Sequence, residues 1–312
     1  MIRTLIVGAT GLVGQEMVKA ARKHGHEVHA LVRPETRADQ DKMRVLAAAG
    51  ATVHEGELSD LDSLVTACRQ VDNVVSAINW LSGDERVLVE AARIAGVKRF
   101  IPSAYGADFT MTTPGSTIVL DTWTEVRKAI EAAGLAHTYV HTNGFFSFWV
   151  STLGDMTRLG GSKPPTEVNL YRDGAIKGAF VSEADIAAVT LRALDDPQAQ
   201  NRRMRITQNT MTQKEIIDLW IRMSGERVAM VPMTADDLDA MIDSPDVVAH
   251  APLQNAFQLM RVMWVRGEAL KVHPEVAEAR DIYPDLRFQT VEDHFQGLLA
   301  VSANQMKGQA NA

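Results

Sequence analysis

The residues best placed to do chemistry are Gly8-Ala9-Thr10-Gly11-Leu12-Val13-Gly14, which follow an apolar run at Thr4–Val7 and enter a helical pattern from Leu12 to His24. In a strand–turn–helix this spacing suits a dinucleotide. Gly8 allows the tight turn, Gly11 lets the backbone approach a pyrophosphate, and Gly14 lets the helix pack on the strand. The helix start offers free N–H groups and a positive dipole end to the phosphates, with Thr10, Leu12 and Val13 in the same turn. The next strand ends Leu31-Val32-Arg33-Pro34. NAD sites commonly place a carboxylate there for the ribose 2′-hydroxyl. Arg33 instead suits a 2′-phosphate, held in a bidentate fork, and Lys42 at the start of a helix adds a second positive charge. Glu35 argues against this choice, but the pair Arg33 and Lys42 points to NADP(H).

Groups that could move a proton are harder to find. The four tyrosines are Tyr105, Tyr139, Tyr171 and Tyr283, and four residues after each stand Phe109, Asn143, Ala175 and Arg287. The Tyr-x-x-x-Lys pair of short-chain dehydrogenases is therefore absent. His24, His26 and His29 fall around a helix end and a strand with no metal-ligand spacing, so no metal is expected. The single Cys68 shares a helical pattern with Leu64 and Val65 and reads as core.

The elements that must carry these residues alternate. Strands are expected at Thr4–Val7, Glu27–Val32, Thr52–Glu55, Val71–Ala77, Phe100–Pro102 and His137–His141. Helices are expected at Leu12–His24, Gln40–Ala49, Leu61–Cys68, Glu85–Ala95 and 122–133, the last opened by a capping box at Thr122-x-x-Glu125. This pattern means an α/β fold, a doubly wound parallel Rossmann sheet. It occupies residues 1–150 as the NADP-binding domain. Residues 151–312 form a smaller, mainly substrate-binding α/β domain, with segments packing back on the first. In that part Ser162–Pro165 reads as a loop, Glu183–Leu194 and Thr212–Ser224 as helices, and Val247–Trp264 as one long helix.

The 312 residues carry a net charge of −7, which gives no basis for a nucleic-acid partner. The one basic run, Asn201-Arg202-Arg203-Met204-Arg205, reads as a solvated loop. No 18-residue apolar run argues for a membrane span. The start, MIRTLIVGATG, flows into the glycine motif and lacks a signal-peptide cleavage site. A lone cysteine favours the cytoplasm.

Beyond this point a resemblance adds to the residues. GATGLVG (8–14), ALVRPET (30–36), DSLVTACRQVDNVVSAI (62–78), GVKRFIPSAYG (96–106), VRKAIEAAGLAHTYVHTNGFF (126–146), LYRDGAIKGAFVSEADIA (170–187) and YPDLRFQTVEDHF (283–295) occur in order over nearly the whole chain. The chain resembles the NmrA-like atypical short-chain dehydrogenases, and within them the isoflavone, pinoresinol–lariciresinol and phenylcoumaran benzylic ether reductases. The resemblance implies an NADPH-dependent reductase acting on a small aromatic substrate, with a homodimer left open. It implies Gly8, Thr10, Gly11, Leu12, Val13, Gly14, Arg33 and Lys42 as cofactor contacts. It places Ser76, Ala77, Ser103 and Asn143, after the fourth, fifth and sixth strands, on the nicotinamide side.

The chain departs from that family at one helix. Its plant-type members carry a lysine three residues before the Val of Val-Arg-Lys/Arg-Ala-Ile-Glu, as general base or acid; here that position is Trp123. The Phe-Ile-Pro-Ser-x-x-Gly loop also has Ala104 where members have glutamate. Another group must then supply the proton, or the substrate needs none from the protein. Tyr105 and His141, near strand ends, are the candidates, and either is also readable as a packed residue. Trp123, with Phe145, Phe146, Phe148 and Trp149, could stack on an aromatic substrate. Three functions stay open: reduction of a lignan, isoflavonoid or benzylic ether; an NADP(H)-sensing regulator without turnover; and a quinone or aldehyde reductase.

Overall fold

A computed structural model describes residues 1–161 and 163–310; Ser162, in the expected Ser162–Pro165 loop, lies outside the described residues. The first half runs β1 (Arg3–Val7), α1 (Leu12–Lys23), β2 (Glu27–Val32), α2 (Pro34–Arg37), α3 (Gln40–Ala48), β3 (Thr52–Glu55), α4 (Leu61–Cys68), β4 (Asn73–Ser76), α5 (Glu85–Ala95), β5 (Arg99–Ile101), α6 (Ile118–Ala132) and β6 (Thr138–His141). The strands pair in parallel in the order β3-β2-β1-β4-β5, the Rossmann arrangement. Covering on both faces explains the near-continuous apolar β1: Leu5 and Val7 enter one core and Ile6 the other. Asp39, Asp60 and Asp84 cap α3, α4 and α5 by accepting backbone N–H groups, and Gly96 at φ +72° ends α5.

The second half contains β7 (Gly144–Phe145), β8 (Glu167–Tyr171), β9 (Lys177–Val181), α7 (Glu183–Asp195), β10 (Arg202–Arg205), β11 (Asn209–Thr212), α8 (Gln213–Ser224), β12 (Ala229–Met233), α9 (Ala235–Ile242), α10 (Pro245–Val248), α11 (Ala251–Met260), β13 (Ala277–Glu278), α12 (Ala279–Ile282) and α13 (Val291–Ala310). β10 and β13 continue the parallel order beyond β6, which an isolated Phe100–His137 bridge links to β5. α7 packs on α1, and Val189 and Leu191 join the core of Ile6 and Met17. The remaining elements form two small sheets, β11-β9-β7 and β12-β8, and helices around a separate core that includes Phe146, Trp220, Trp264 and Phe295.

Three expectations are corrected. The Asn201–Arg205 run is not a loop: Arg202–Arg205 is β10, with Met204 fully buried, Arg203 over the Tyr139 ring and Arg205 paired with Glu278. The long helix at 247–264 is broken. Pro252 cannot donate to a preceding turn, so a new helix starts at Ala251, and it passes into a π-turn at Arg261–Val265. The helix bearing Trp123 starts at Ile118, four residues before the expected Thr122. Thr117 is its cap, while the Thr122 hydroxyl donates to the Ile118 carbonyl at 2.9 Å as an interior residue does. Trp123 therefore stands in the second turn. Gly134, at φ +64°, follows the helix end.

Candidate active site

The glycine loop is built as the spacing requires. Gly8 has φ +85°, and a Cβ there would lie 2.4 Å from the Ala77 carbonyl oxygen. A Cβ on Gly14 would lie 1.9 Å from the Gly8 oxygen, so α1 touches the loop backbone. Gly11 caps α1 without a side-chain acceptor and is exposed, as is Leu12. The first N–H groups of α1 thus open outward, and only the absence of a Cβ at Gly11 keeps that approach clear. These features fit a pyrophosphate.

Arg33 follows β2 and Lys42 lies in the first turn of α3. Both are exposed and paired locally, Arg33 Nε with Glu35 at 3.1 Å and Lys42 Nζ with Asp39 at 3.1 Å. Exposed pairs of this kind contribute about 0–1 kcal/mol, so either cation can turn to a dianionic phosphate at small cost.

A cavity of about 470 Å³ opens beyond the carboxyl ends of β1 and β4, where the strand order reverses. It joins the predicted Gly11, Leu12, Val13, Ala77, Ser103, Tyr105, Trp123, Asn143, Phe145 and Trp149 in one wall system. Gly8, Thr10, Gly14, Ser76, Arg33 and Lys42 are not part of its lining. Sequence reasoning missed two contributions: Ile78–Leu81, the loop after β4, and a set on and after α11 that includes Asn255, Leu259 and Val262. Strand-end logic could have found the first. The second stands on a helix of the other half, packs against both cores and carries no local motif.

Trp123 forms a flat apolar wall. Its ring lies so close to Gly106 that a Cβ there would be 2.5 Å from Cζ3 and 2.6 Å from Cη2. Phe109 backs the indole at 6.5 Å between ring centres. Gly106 is thus the residue that lets the indole lie against the loop backbone.

None of the described residues lining the cavity is Asp, Glu, His, Lys or Arg. Tyr105 is its single titratable group. Burial, with the nearby Glu85 charge, holds the phenol above its ordinary range, so it stays protonated at neutral pH. Its hydroxyl is sealed from solvent beside Thr190, and the buried Asn143 Oδ1 has no hydrogen-bond partner among the described residues. Behind the wall, buried Glu85 accepts from Ser103 N at 2.9 Å, and Ser103 Oγ donates to the Ile78 carbonyl at 2.7 Å. These bonds fix the loops after β4 and β5 against each other.

Two further expected site residues, Phe146 and His141, also lie outside the cavity. Phe146 is fully buried in the second core, its ring against His294, because its side chain turns away from Phe145. His141 at the end of β6 is 1% exposed, with Nε2 3.8 Å from Asp108 and the Phe109 ring edge-on. It is not part of the cavity lining, so the expected acid does not stand at the cavity wall. Burial pushes its pKa down to about 4 against the pull of Asp108. A histidine whose folded pKa is depressed contributes stability that is complete above its unfolded pKa and lost as pH falls towards the folded one. The window here is about pH 6.5 down to 4. We expect denaturant midpoints to fall between pH 7 and pH 4.5, with His141 contributing on the order of 2 kcal/mol. Urea melts of His141→Phe should show a flatter slope; an unchanged slope would exclude this histidine as the cause.

Among the described residues no helix is long and apolar enough to cross a membrane, and no group of His, Cys, Asp and Glu could hold a metal ion. The NmrA-like family matches residues 2–295. Bifunctional pinoresinol-lariciresinol reductase 2 of Thuja plicata is 34% identical over 95% of this chain and 98% of its own length. Pinoresinol reductase 1 of Arabidopsis thaliana is 34% identical over 95% and 97%. The solved structure of AtPrR2 with NADP+ and (+)-pinoresinol has a TM-score of 0.83 at 31% identity, covering 95% of this chain and 98% of that one. Because the match runs through both the Rossmann half and the half that supplies α11, the chain belongs to the NmrA-like family.

Proposed function

We propose that the protein is an NADPH-dependent oxidoreductase that reduces a lignan-type aromatic ether, with Trp123 as a stacking wall where related reductases carry a lysine. The observation that carries this reading is the cavity itself. It runs from the glycine loop to aromatic walls of Trp123, Phe145 and Trp149 and, among the described residues, offers no charged side chain. The bifunctional pinoresinol-lariciresinol reductase and the AtPrR2–pinoresinol complex support the substrate class.

When bound, the cofactor supplies the hydride. Gly8, Gly11 and Gly14 would shape the turn that holds its pyrophosphate, and Arg33 and Lys42 its 2′-phosphate. Ala77, Ser103 and Asn143 would line the nicotinamide side. The Tyr105 hydroxyl, kept protonated but sealed from solvent, offers a substrate in the cavity no acid. The substrate therefore brings its own: a phenol para to the benzylic carbon expels the ether oxygen, the C–O electron pair stays on that oxygen, and the phenolic proton balances it. Hydride addition to the benzylic carbon of the resulting quinone methide leaves a phenolate, which regains its proton from solvent.

Mixing purified protein with NADPH and a panel of lignans, isoflavones and simple quinones, and following loss of reduced cofactor, tests the reading. Turnover on the benzylic ethers is expected. Tight NADPH binding with no turnover would favour a sensor, and turnover confined to quinones a quinone reductase. In the same assay Arg33→Ala should raise the KM for NADPH about 10- to 100-fold, the worth of one charge-assisted pair, and leave that for NADH unchanged. Equal effects on both cofactors would remove Arg33 from the 2′-phosphate.

A further inference from the structure

The first turn of α6 is completed by side chains, two of them from far along the chain. Thr117 Oγ1 accepts from Leu120 N at 3.0 Å, Gln258 Oε1 from Ile118 N at 3.2 Å, and Asn255 Oδ1 from Val119 N at 3.3 Å. Asn255 and Gln258 both stand on α11 and both are buried. A backbone N–H needs an acceptor, so the bond to Val119 decides how the Asn255 amide is turned: the carbonyl faces the helix and the NH2 faces away.

That NH2 group has no hydrogen-bond partner among the described residues, yet it is not among the atoms sealed from all contact, and Asn255 lines the cavity. The residue is 5% exposed. Its neighbours on that wall are Pro252, Ala256, Leu259 and Val262, none of which can accept a side-chain hydrogen bond. Val119, which Asn255 caps, precedes Trp123 by one turn on the same helix face and also lines the cavity. The other amides of the cavity stand elsewhere. Asn143 follows β6, and Asn79, in the exposed loop after β4, spends its carbonyl on Leu81 N at 2.9 Å.

We propose that the Asn255 NH2 is the specificity-determining donor of the cavity. It reads an oxygen on the substrate ring that lies next to Trp123 at the α11 end, away from the glycine loop. The inference rests on the reading of the cavity as an aromatic-substrate site. The ligand it selects is an aromatic ring bearing a hydroxyl or methoxyl oxygen. A ring without that oxygen leaves a desolvated donor unpaired, which a site of this kind rejects.

The test uses three 4-hydroxybenzyl aryl ethers that differ only in the para group of the aryl ring: hydroxyl, methoxyl or hydrogen. The wild-type protein should treat hydroxyl and methoxyl alike and process the hydrogen compound about 10- to 100-fold less efficiently in kcat/KM. Asn255→Asp keeps an acceptor for Val119 N, so the α6 cap survives, but turns an oxygen to the cavity. It should retain the hydroxyl compound, whose proton it can accept, and drop the methoxyl compound to the level of hydrogen. Asn255→Leu should bring all three within about threefold of one another, since it offers neither donor nor acceptor. Equal efficiencies in the wild type, or an unchanged order in both variants, would overturn the proposal. Tryptophan-fluorescence titration of the NADP+-loaded protein with the same ethers separates binding from chemistry. Ordered binding without turnover would sustain the role of Asn255 and overturn the reductase reading; turnover without ordering would do the reverse. No binding of any of the three would overturn both.

Discussion

Gly14→Ala is expected to abolish cofactor binding and to lower the thermal midpoint sharply. The added methyl would sit 1.9 Å from the Gly8 oxygen, 2.7 Å from its carbonyl carbon and 2.9 Å from Ala9 Cα. All three are backbone atoms, so relief requires α1 to move off β1, which overpacking of a rigid site makes costly by about 3 kcal/mol or more. Gly11→Ala is the contrast. Its methyl meets only the Gly8 oxygen, at 3.3 Å, so the fold should tolerate it, while the space for a pyrophosphate is filled. Calorimetry with and without NADPH should show both losses in Gly14→Ala and only the binding loss in Gly11→Ala. A Gly14→Ala protein that binds NADPH like the wild type would refute the packing argument.

Trp123→Ala should raise KM for an aromatic substrate about 10- to 100-fold with a much smaller change in kcat, the mark of lost stacking contact rather than lost chemistry. Trp123→Phe should recover most of it. Trp123→Lys places an ammonium in a cavity whose described lining is otherwise uncharged and should bind substrate as poorly as the alanine variant. Steady-state kinetics of the three variants decide the matter. A rise in kcat for Trp123→Lys at saturating substrate would mean that the position lacks a proton carrier, not that it supplies a wall.

Most of the Rossmann half is legible in the sequence because its signals are local. The glycine triplet, the aspartate caps of α3, α4 and α5, and the left-handed Gly96 each act within one turn of their own position. The start of α6 is different. Thr122-x-x-Glu125 has the form of a capping box, but the Glu125 carboxylate pairs with Lys128 at 2.7 Å. The N–H groups of Ile118 and Val119 are satisfied by Gln258 and Asn255, over a hundred residues away, and nothing near residue 118 announces them. His141 fails for a related reason. It ends β6, near the strand end as read, but which way a strand-end side chain turns depends on the Asp108 and Phe109 loop packed over it. Tyr105, Phe145 and Trp149 reach the cavity as read, whereas Phe146, the first residue of the π-helical turn after β7, is buried in the second core.

The return of α7, β10, β13 and α12 to the Rossmann sheet, with second-core segments between them, means that the chain passes back and forth between the two halves. No single linker joins them, so a swing of one half against the other would have to bend several crossings together. A local adjustment needs no such concert, and the short turn at Asn79–Ser82, with Leu81 exposed at the cavity, is a surface segment that touches the cavity with none of its residues buried in either core.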